Sequence, residues 1–168
     1  PIGISVMLPA ISRGAGKIYV TDKVDERVQI AKQHGAAWAG NPDKEDIVQV
    51  ITSLEPALLD VILECCGQQE AADQAIELLK PGGKLMIIGI PEFDRWSFPS
   101  DQMRRKEITI QNVRRQNETL DETLEMIASS RINVRPLATH RFALADTKQA
   151  FDMVAGYRDG VMKAMIDF

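Results

Sequence analysis

The chain of 168 residues has little of what staples or metallates a small fold: two cysteines and two histidines. The cysteines are neighbours, Cys65 and Cys66. Adjacent Cα atoms lie ~3.8 Å apart, below the usual disulfide range, so no disulfide framework can form within the chain. That fits a reducing compartment, and a cytoplasmic location is expected. Neither this pair nor His34 and His140 has metal-ligand spacing, so no metal ligand and no catalytic residue is assigned here. Aromatic residues are scarce, at 5%, and no Lys/Arg run occurs; 20 basic against 24 acidic side chains give a formal net charge of −4. Nucleic-acid binding leaves a basic footprint that this chain lacks. Apolar runs are as short as Leu85-Met86-Ile87-Ile88, whereas a membrane span needs ~18 or more apolar residues. Neither nucleic acid nor membrane is therefore expected as a partner.

Hydrophobic residues make up 45% of the chain, enough for a packed core. Apolar residues 4–12 read as a helix interrupted by the awkward Pro9, which removes a helical hydrogen bond. A β-rich strand over 17–22 ends in Asp22, and a helix over 25–34 places Val28 and Ala31 inward. Asn41-Pro42-Asp43 turns into a helix near 43–54. An apolar strand at 59–63, a helix over 68–80, the turn Lys80-Pro81-Gly82-Gly83, an apolar strand at 85–90 and a strand at 107–111 follow. Strands apolar on both faces that alternate with helices belong to a parallel sheet covered on both sides. The expected fold class is α/β, a doubly wound parallel sheet of Rossmann-like type. After residue 113 the rhythm changes to helix 118–130, strand 139–142, helix 145–156 and strand 162–168. This gives an expected division into 1–113, a dinucleotide-binding domain, and 114–168, an α+β segment.

In a dinucleotide-binding βαβ unit the last glycine of a Gly-rich loop opens a helix that packs close to the sheet. An acidic residue ~20 positions on ends the second strand and accepts from the ribose hydroxyls. Gly3 opens the first helix here and Asp22 ends the next strand. A carboxylate suits two ribose hydroxyls and repels a 2′-phosphate, so any nicotinamide dinucleotide is expected to be NAD rather than NADP. Arg27, on the first turn of the next helix, is a candidate for lying along the adenosine or holding the Asp22 carboxylate. Plainer readings stay open for each, with Asp22 a helix cap and Arg27 a solvated surface cation.

Further stretches are Gly35-Ala36-Ala37 with Asn41-Pro42, Asp60 to Gly67, Leu79 to Lys84 with Ile88-Gly89-Ile90-Pro91, Thr139 to Phe142, and Lys163 to Ile166. Together with Pro1-Ile2-Gly3 and Val20 to Arg27, they resemble the zinc-containing branch of the medium-chain dehydrogenase/reductase family, in order along the whole chain. Within it the sequence is most similar to sorbitol, polyol and threonine dehydrogenases. The resemblance implies NAD contacts: Ile2 and Gly3 at the pyrophosphate, Asp22 and Arg27 at the adenosine ribose, and Ile88, Gly89 and Ile90 along the nicotinamide. Val113 and Arg114 would flank the carboxamide, and Lys163 would reach a phosphate. Arg115 stands where sorbitol dehydrogenases have a Tyr. The resemblance also implies a small alcohol or polyol substrate, a homo-oligomer, and a catalytic zinc held by residues outside this chain.

On this reading the chain lacks the first strand of its sheet, and 114–168 completes a catalytic domain whose larger share lies elsewhere. Alone, it would be inactive and unstable. Two other readings stay open. A methyltransferase also uses a Gly-rich loop, an acidic residue ending its second strand and a Leu-Lys-Pro-Gly-Gly turn. A non-catalytic module that senses NAD would look the same over these residues.

Overall fold

The computed structural model describes all of residues 1–168. Its seven α-helices and seven strands group into two compact units, Pro1–Lys44 with Glu118–Phe168, and Glu45–Asn117. The expected division at 113/114 falls close to the Asn117/Glu118 boundary. The segment after it does not form a body of its own but shares a core with the first 44 residues.

In the first unit, α1 (Ile2–Ser12) leads to β1 (Tyr19–Thr21), α2 (Asp25–Gln33) and β2 (Trp38–Gly40). β1 and β2 are parallel, with Thr21 opposite Gly40. α1 runs through Pro9 as one helix. Met7, with Ile4, Val28 and Ala31, is buried against Ala39, Leu137 and Met162. The 3.6-residue periodicity gives this result, because Ile4 and Met7, like Val28 and Ala31, recur on one helix face. β2 was not anticipated from sequence. Its three residues include Ala39 and Gly40, weak strand formers, and parallel pairing with β1 is what makes them a strand.

The second unit holds α3 (Ile47–Leu54), β3 (Leu59–Glu64), α4 (Gln69–Leu78), β4 (Leu79–Ile87), α5 (Ser100–Lys106) and β5 (Thr109–Asn112). Its strands form one parallel sheet in the order β3-β4-β5. Asp46 caps α3, accepting from the Gln49 amide at 3.0 Å, and Ile47 and Ile51 turn inward. Ala75, Ile76, Leu79, Leu85 and Ile87 form the core, with Trp96, Phe98 and Met103 packed on it. The turn expected at Lys80–Gly83 appears as an irregularity inside β4: Leu79 pairs with Leu59, and pairing resumes at Lys84 with Val61. β3 differs from expectation. It is an edge strand, so Val61 and Leu63 are exposed rather than covered on both faces.

α5 was also not anticipated, having no buried residue and therefore no apolar face to read. Its last residue, Lys106, donates to the carbonyls of Ile76, Glu77 and Leu79 at 2.8–2.9 Å and so closes the C-terminal end of α4. Burial lowers its pKa. Lys106→Met keeps the stem and leaves these carbonyls without their donor. It is expected to destabilise the protein by roughly 1–3 kcal/mol. Urea unfolding measures this, and a loss under ~0.5 kcal/mol would show that water replaces the ammonium.

The C-terminal part of the first unit contains α6 (Leu120–Ala128), β6 (Ala138–Ala143), α7 (Thr147–Ala155) and β7 (Lys163–Asp167). β6 and β7 are parallel. Along β7, Ala164 and Ile166 are half-buried while Lys163, Met165 and Asp167 are exposed, the period-two alternation expected for 162–168. No helix is long and apolar enough to cross a membrane.

Candidate functional site

Within each unit, residues singled out from the sequence follow the carboxyl ends of parallel strands: Asp22 after β1 in the first, and Ile88 to Ile90 and Val113 and Arg114 after β4 and β5 in the second. In the first unit, Asp22 follows β1 and Asn41 follows β2. The Asp22 amide continues the ladder to the Gly40 carbonyl at 3.3 Å. Asp22 Oδ1 accepts from the Val24 amide at 3.0 Å and faces Arg27 Nη1 at 4.0 Å. The side chain keeps 26% of its exposure, and Oδ2 remains for an outside donor.

Asn41, which sequence analysis assigned only to a turn, is buried. Its amide donates to the Lys23 carbonyl (3.0 Å) and to Asp25 Oδ1 (2.8 Å), and its Oδ1 accepts from the Asp43 amide (3.0 Å). It therefore ties the loop after β1 to the loop after β2. The Asn41 amide, followed by the Lys44 ammonium, holds the Asp25 carboxyl below its ordinary range.

Arg27 is 6% exposed, not a solvated cation. Its Nε and Nη2 both donate to the Val161 carbonyl, at 3.2 and 2.6 Å, and its guanidinium lies 5.2 Å from the centre of the Tyr157 ring. Two of its three nitrogens are thus committed to the chain just before β7, and Nη1 is the one left toward Asp22. No spacing rule could show this, because Val161 lies 134 positions away. Lys163, at the start of β7, is exposed and pairs in the ladder with Ala138.

Ile2 and Gly3 open α1, and Ile2 is exposed. A Cβ built on Gly3 meets nothing within 4 Å. The close helix–sheet packing offered from sequence as the reason for this glycine is therefore not supplied by these 168 residues.

In the second unit the register aligns Glu64, Ile87 and Asn112 across β3, β4 and β5. Beyond this row the Ile88 and Gly89 amides both donate to the Glu64 carbonyl, at 2.8 and 3.0 Å. Ile88 and Gly89 are half-buried, while Ile90 is 86% exposed, and Val113 and Arg114 are exposed. Ile90 is therefore not part of the core. Val113 is anchored by its amide to the Ile87 carbonyl at 2.8 Å.

Sequence analysis gave no role to Glu64 and Gly67, although both lie in a quoted stretch. Glu64 is 3% exposed. Its Oε1 accepts from the Cys66 amide (2.7 Å), the Cys66 thiol (2.9 Å) and the Gly67 amide (2.7 Å), and Oε2 has no partner. Gly67 has φ +73°, and a Cβ there would lie 2.5 Å from the Ile90 carbonyl oxygen. A Cβ on Gly89 would collide with the Gly67 amide and lie 2.5 Å from Glu64 Oε2. The loops after β3 and β4 thus meet backbone to backbone. A carboxylate closing a strand three residues before a glycine was the available signal.

Neither cysteine is a core residue: Cys65 is half-buried and Cys66 exposed. Burial, then the neighbouring Glu64 charge, pushes the Cys65 thiol up to about 11. Burial, then the hydrogen bond to Glu64, pushes the Cys66 thiol up to about 12. Both are therefore thiols at neutral pH, poor nucleophiles and poor ligands. His34 turns its Nδ1 to the Ile30 carbonyl at 2.8 Å, and His140 lies 3.2 Å from Asp159. No group of three or more His, Cys, Asp or Glu side chains is placed to hold a metal ion.

Parallel strands with crossover helices, an acidic residue ending a strand and a glycine-tight loop at the carboxyl ends define a Rossmann-like α/β protein, the class in which ligands bind at that end of the sheet. Residues 1–129 match the model of the zinc-binding dehydrogenase family, and the chain belongs to that family. Sorbitol dehydrogenase of Ovis aries is 32% identical over 155 residues, 90% of this chain and 44% of the relative. L-threonine 3-dehydrogenase of Bacillus subtilis (strain 168) is 30% identical over 159 residues, 92% of this chain and 45% of the relative. The chain thus spans less than half the length of these relatives. In fold, it is similar to a short chain alcohol dehydrogenase from E. coli CFT073 crystallised with cofactor NADH. The TM-score is 0.91 at 19% identity, covering 100% of this chain and 50% of that one.

Proposed function

We propose that the whole protein is an NAD-dependent, zinc-containing dehydrogenase acting on an alcohol, a polyol or a hydroxy amino acid, and that this chain supplies most of its NAD site. The observation that carries the reading is Asp22. It ends a parallel strand, is held by the Val24 amide and the facing Arg27, and has one carboxylate oxygen left for a donor. That is the arrangement that recognises a ribose diol.

The residues present fit a dinucleotide. The exposed Ile90 and Val113 offer an apolar lining to a nicotinamide, and the unpartnered Glu64 Oε2 lies beside Gly89. Ile2, Gly3 and Lys163 are the candidates for the phosphates. Ile88, Gly89, Ile90, Val113 and Arg114 are the candidates for the nicotinamide. Arg27 holds Asp22 from behind. When bound, NAD supplies hydride acceptance and zinc supplies polarisation of the substrate oxygen. The zinc ligands belong to residues outside this chain.

Residues 114–168 are proposed to complete the catalytic domain. The exposed apolar side chains of Leu120, Leu124 and Phe151 support this as a surface for further chain. We also infer a small-molecule substrate, a homo-oligomer and a cytoplasmic location, the last from the free, un-crosslinked cysteines. The test is NAD-linked oxidation by the full-length protein across simple alcohols, polyols and hydroxy amino acids, with and without a zinc chelator. Activity lost on chelation is the expected result. Failure to oxidise any of the three classes would sink the reading.

A further inference from the structure

We propose that Glu64 sets the protein's preference for oxidised NAD over NADH. The inference rests on the reading above, in which Ile88, Gly89 and Ile90 line the nicotinamide.

Glu64 closes β3 and is 3% exposed, and its carboxyl group is used unevenly. Oε1 accepts three donors within 2.9 Å, all from the Cys66–Gly67 turn that follows. Oε2 is buried and accepts none. Holding the turn accounts for Oε1 alone. Buried polar atoms are almost always partnered, so an orphan beside a candidate ligand site needs its own explanation.

Oε2 lies where a side chain on residue 89 would project, 2.5 Å from a Cβ built there. Oε2 therefore lies directly against the Gly89 backbone, room that a side chain at 89 would take. A flat ring laid along Ile88-Gly89-Ile90 would have that backbone between it and the carboxylate, a range over which a buried charge still acts.

Oxidised and reduced NAD share their adenosine, pyrophosphate and riboses. They differ at the nicotinamide, which is a cationic pyridinium when oxidised and neutral when reduced. A buried carboxylate close to the ring attracts the first and has no such hold on the second. Water does not screen such a charge as it would on the surface. The neighbouring Cys66, protonated and donating to Oε1, adds no competing charge.

The experiment compares the full-length protein with Glu64→Gln. NADH binding is followed by its fluorescence and oxidised NAD by calorimetry. Removing one unit of charge at this range is expected to weaken oxidised NAD roughly tenfold more than NADH. Equal loss for both forms would mean that Glu64 acts only by shaping the loop, and would overturn the inference while leaving the dinucleotide reading intact. A wild-type protein that binds neither form would overturn both.

Should Glu64→Gln fail to fold, Cys66→Ala carries the test. It takes one donor off the carboxylate and leaves the charge, so preference for oxidised NAD should rise about twofold. An unchanged or lowered preference would overturn the inference.

Discussion

Asp22→Ala is expected to weaken NAD binding at least tenfold and to abolish discrimination against NADP. Two charge-assisted hydrogen bonds to ribose hydroxyls are lost, each worth roughly 1.5–3 kcal/mol, and ~1.4 kcal/mol is already a factor of ten. Loss of discrimination follows from sign, because the carboxylate repels a 2′-phosphate and alanine does not. The substitution also frees the Val24 amide and removes the acceptor facing Arg27 Nη1. Asp22→Asn is therefore the companion variant. Its amide oxygen can still accept from Val24 while the charge is gone, so it should lose discrimination with less loss of stability. Calorimetry with both cofactors decides the matter, and unchanged NAD affinity in both variants would remove Asp22 from the site.

The second large effect is structural. Gly67→Ala is expected to destabilise the protein by about 3 kcal/mol or more. Two costs add. A non-glycine residue in the left-handed region costs roughly 1–2 kcal/mol, and Gly67 has φ +73°. Its new Cβ would also lie 2.5 Å from the Ile90 carbonyl oxygen and 2.7 Å from the carbonyl carbon. Backbone there cannot turn aside as a side-chain end can, and overpacking of this kind costs about 1–3 kcal/mol. Gly82→Ala isolates the first cost, since Gly82 has φ +76° with nothing within 4 Å of a built Cβ. Urea unfolding of both variants should show Gly67→Ala the more destabilised by at least ~1 kcal/mol. Equal losses would mean that the loops after β3 and β4 part easily, and the tight nicotinamide-side surface would then be wrong.

Asp22 was legible as an acidic residue that ends a strand. Ile88, Gly89, Ile90 and Val113 were named from the resemblance to the dehydrogenase family, and in the structure they follow β4 and β5. Asn41 and Arg27 are buried with partners from other segments, whereas the buried Glu64 takes its three donors from the turn directly after it. Arg27 sits five residues past Asp22, on the first turn of α2; the sequence offered it both as a partner of Asp22 and as a surface cation, and only the Val161 carbonyl shows it to be buried.

The sequence by itself determined the elements whose apolar residues repeat. These are the helices with Ile4 and Met7, Val28 and Ala31, or Ala75 and Ile76, and the strand Leu85 to Ile87, because periodic burial follows from local geometry. The tertiary structure alone decided the rest. β2 exists because β1 pairs with it, and α5 buries no residue fully, with Met103 its one apolar contact to the core, so neither had a pattern to show. Lys106 became a helix cap only when α4 ended beside it. Glu64 takes its donors from its own turn, but only the loop after β4 brings Gly89 against its other oxygen. A hydrogen bond needs its two groups within about 3 Å, and for residues distant in sequence only the folded chain brings them there.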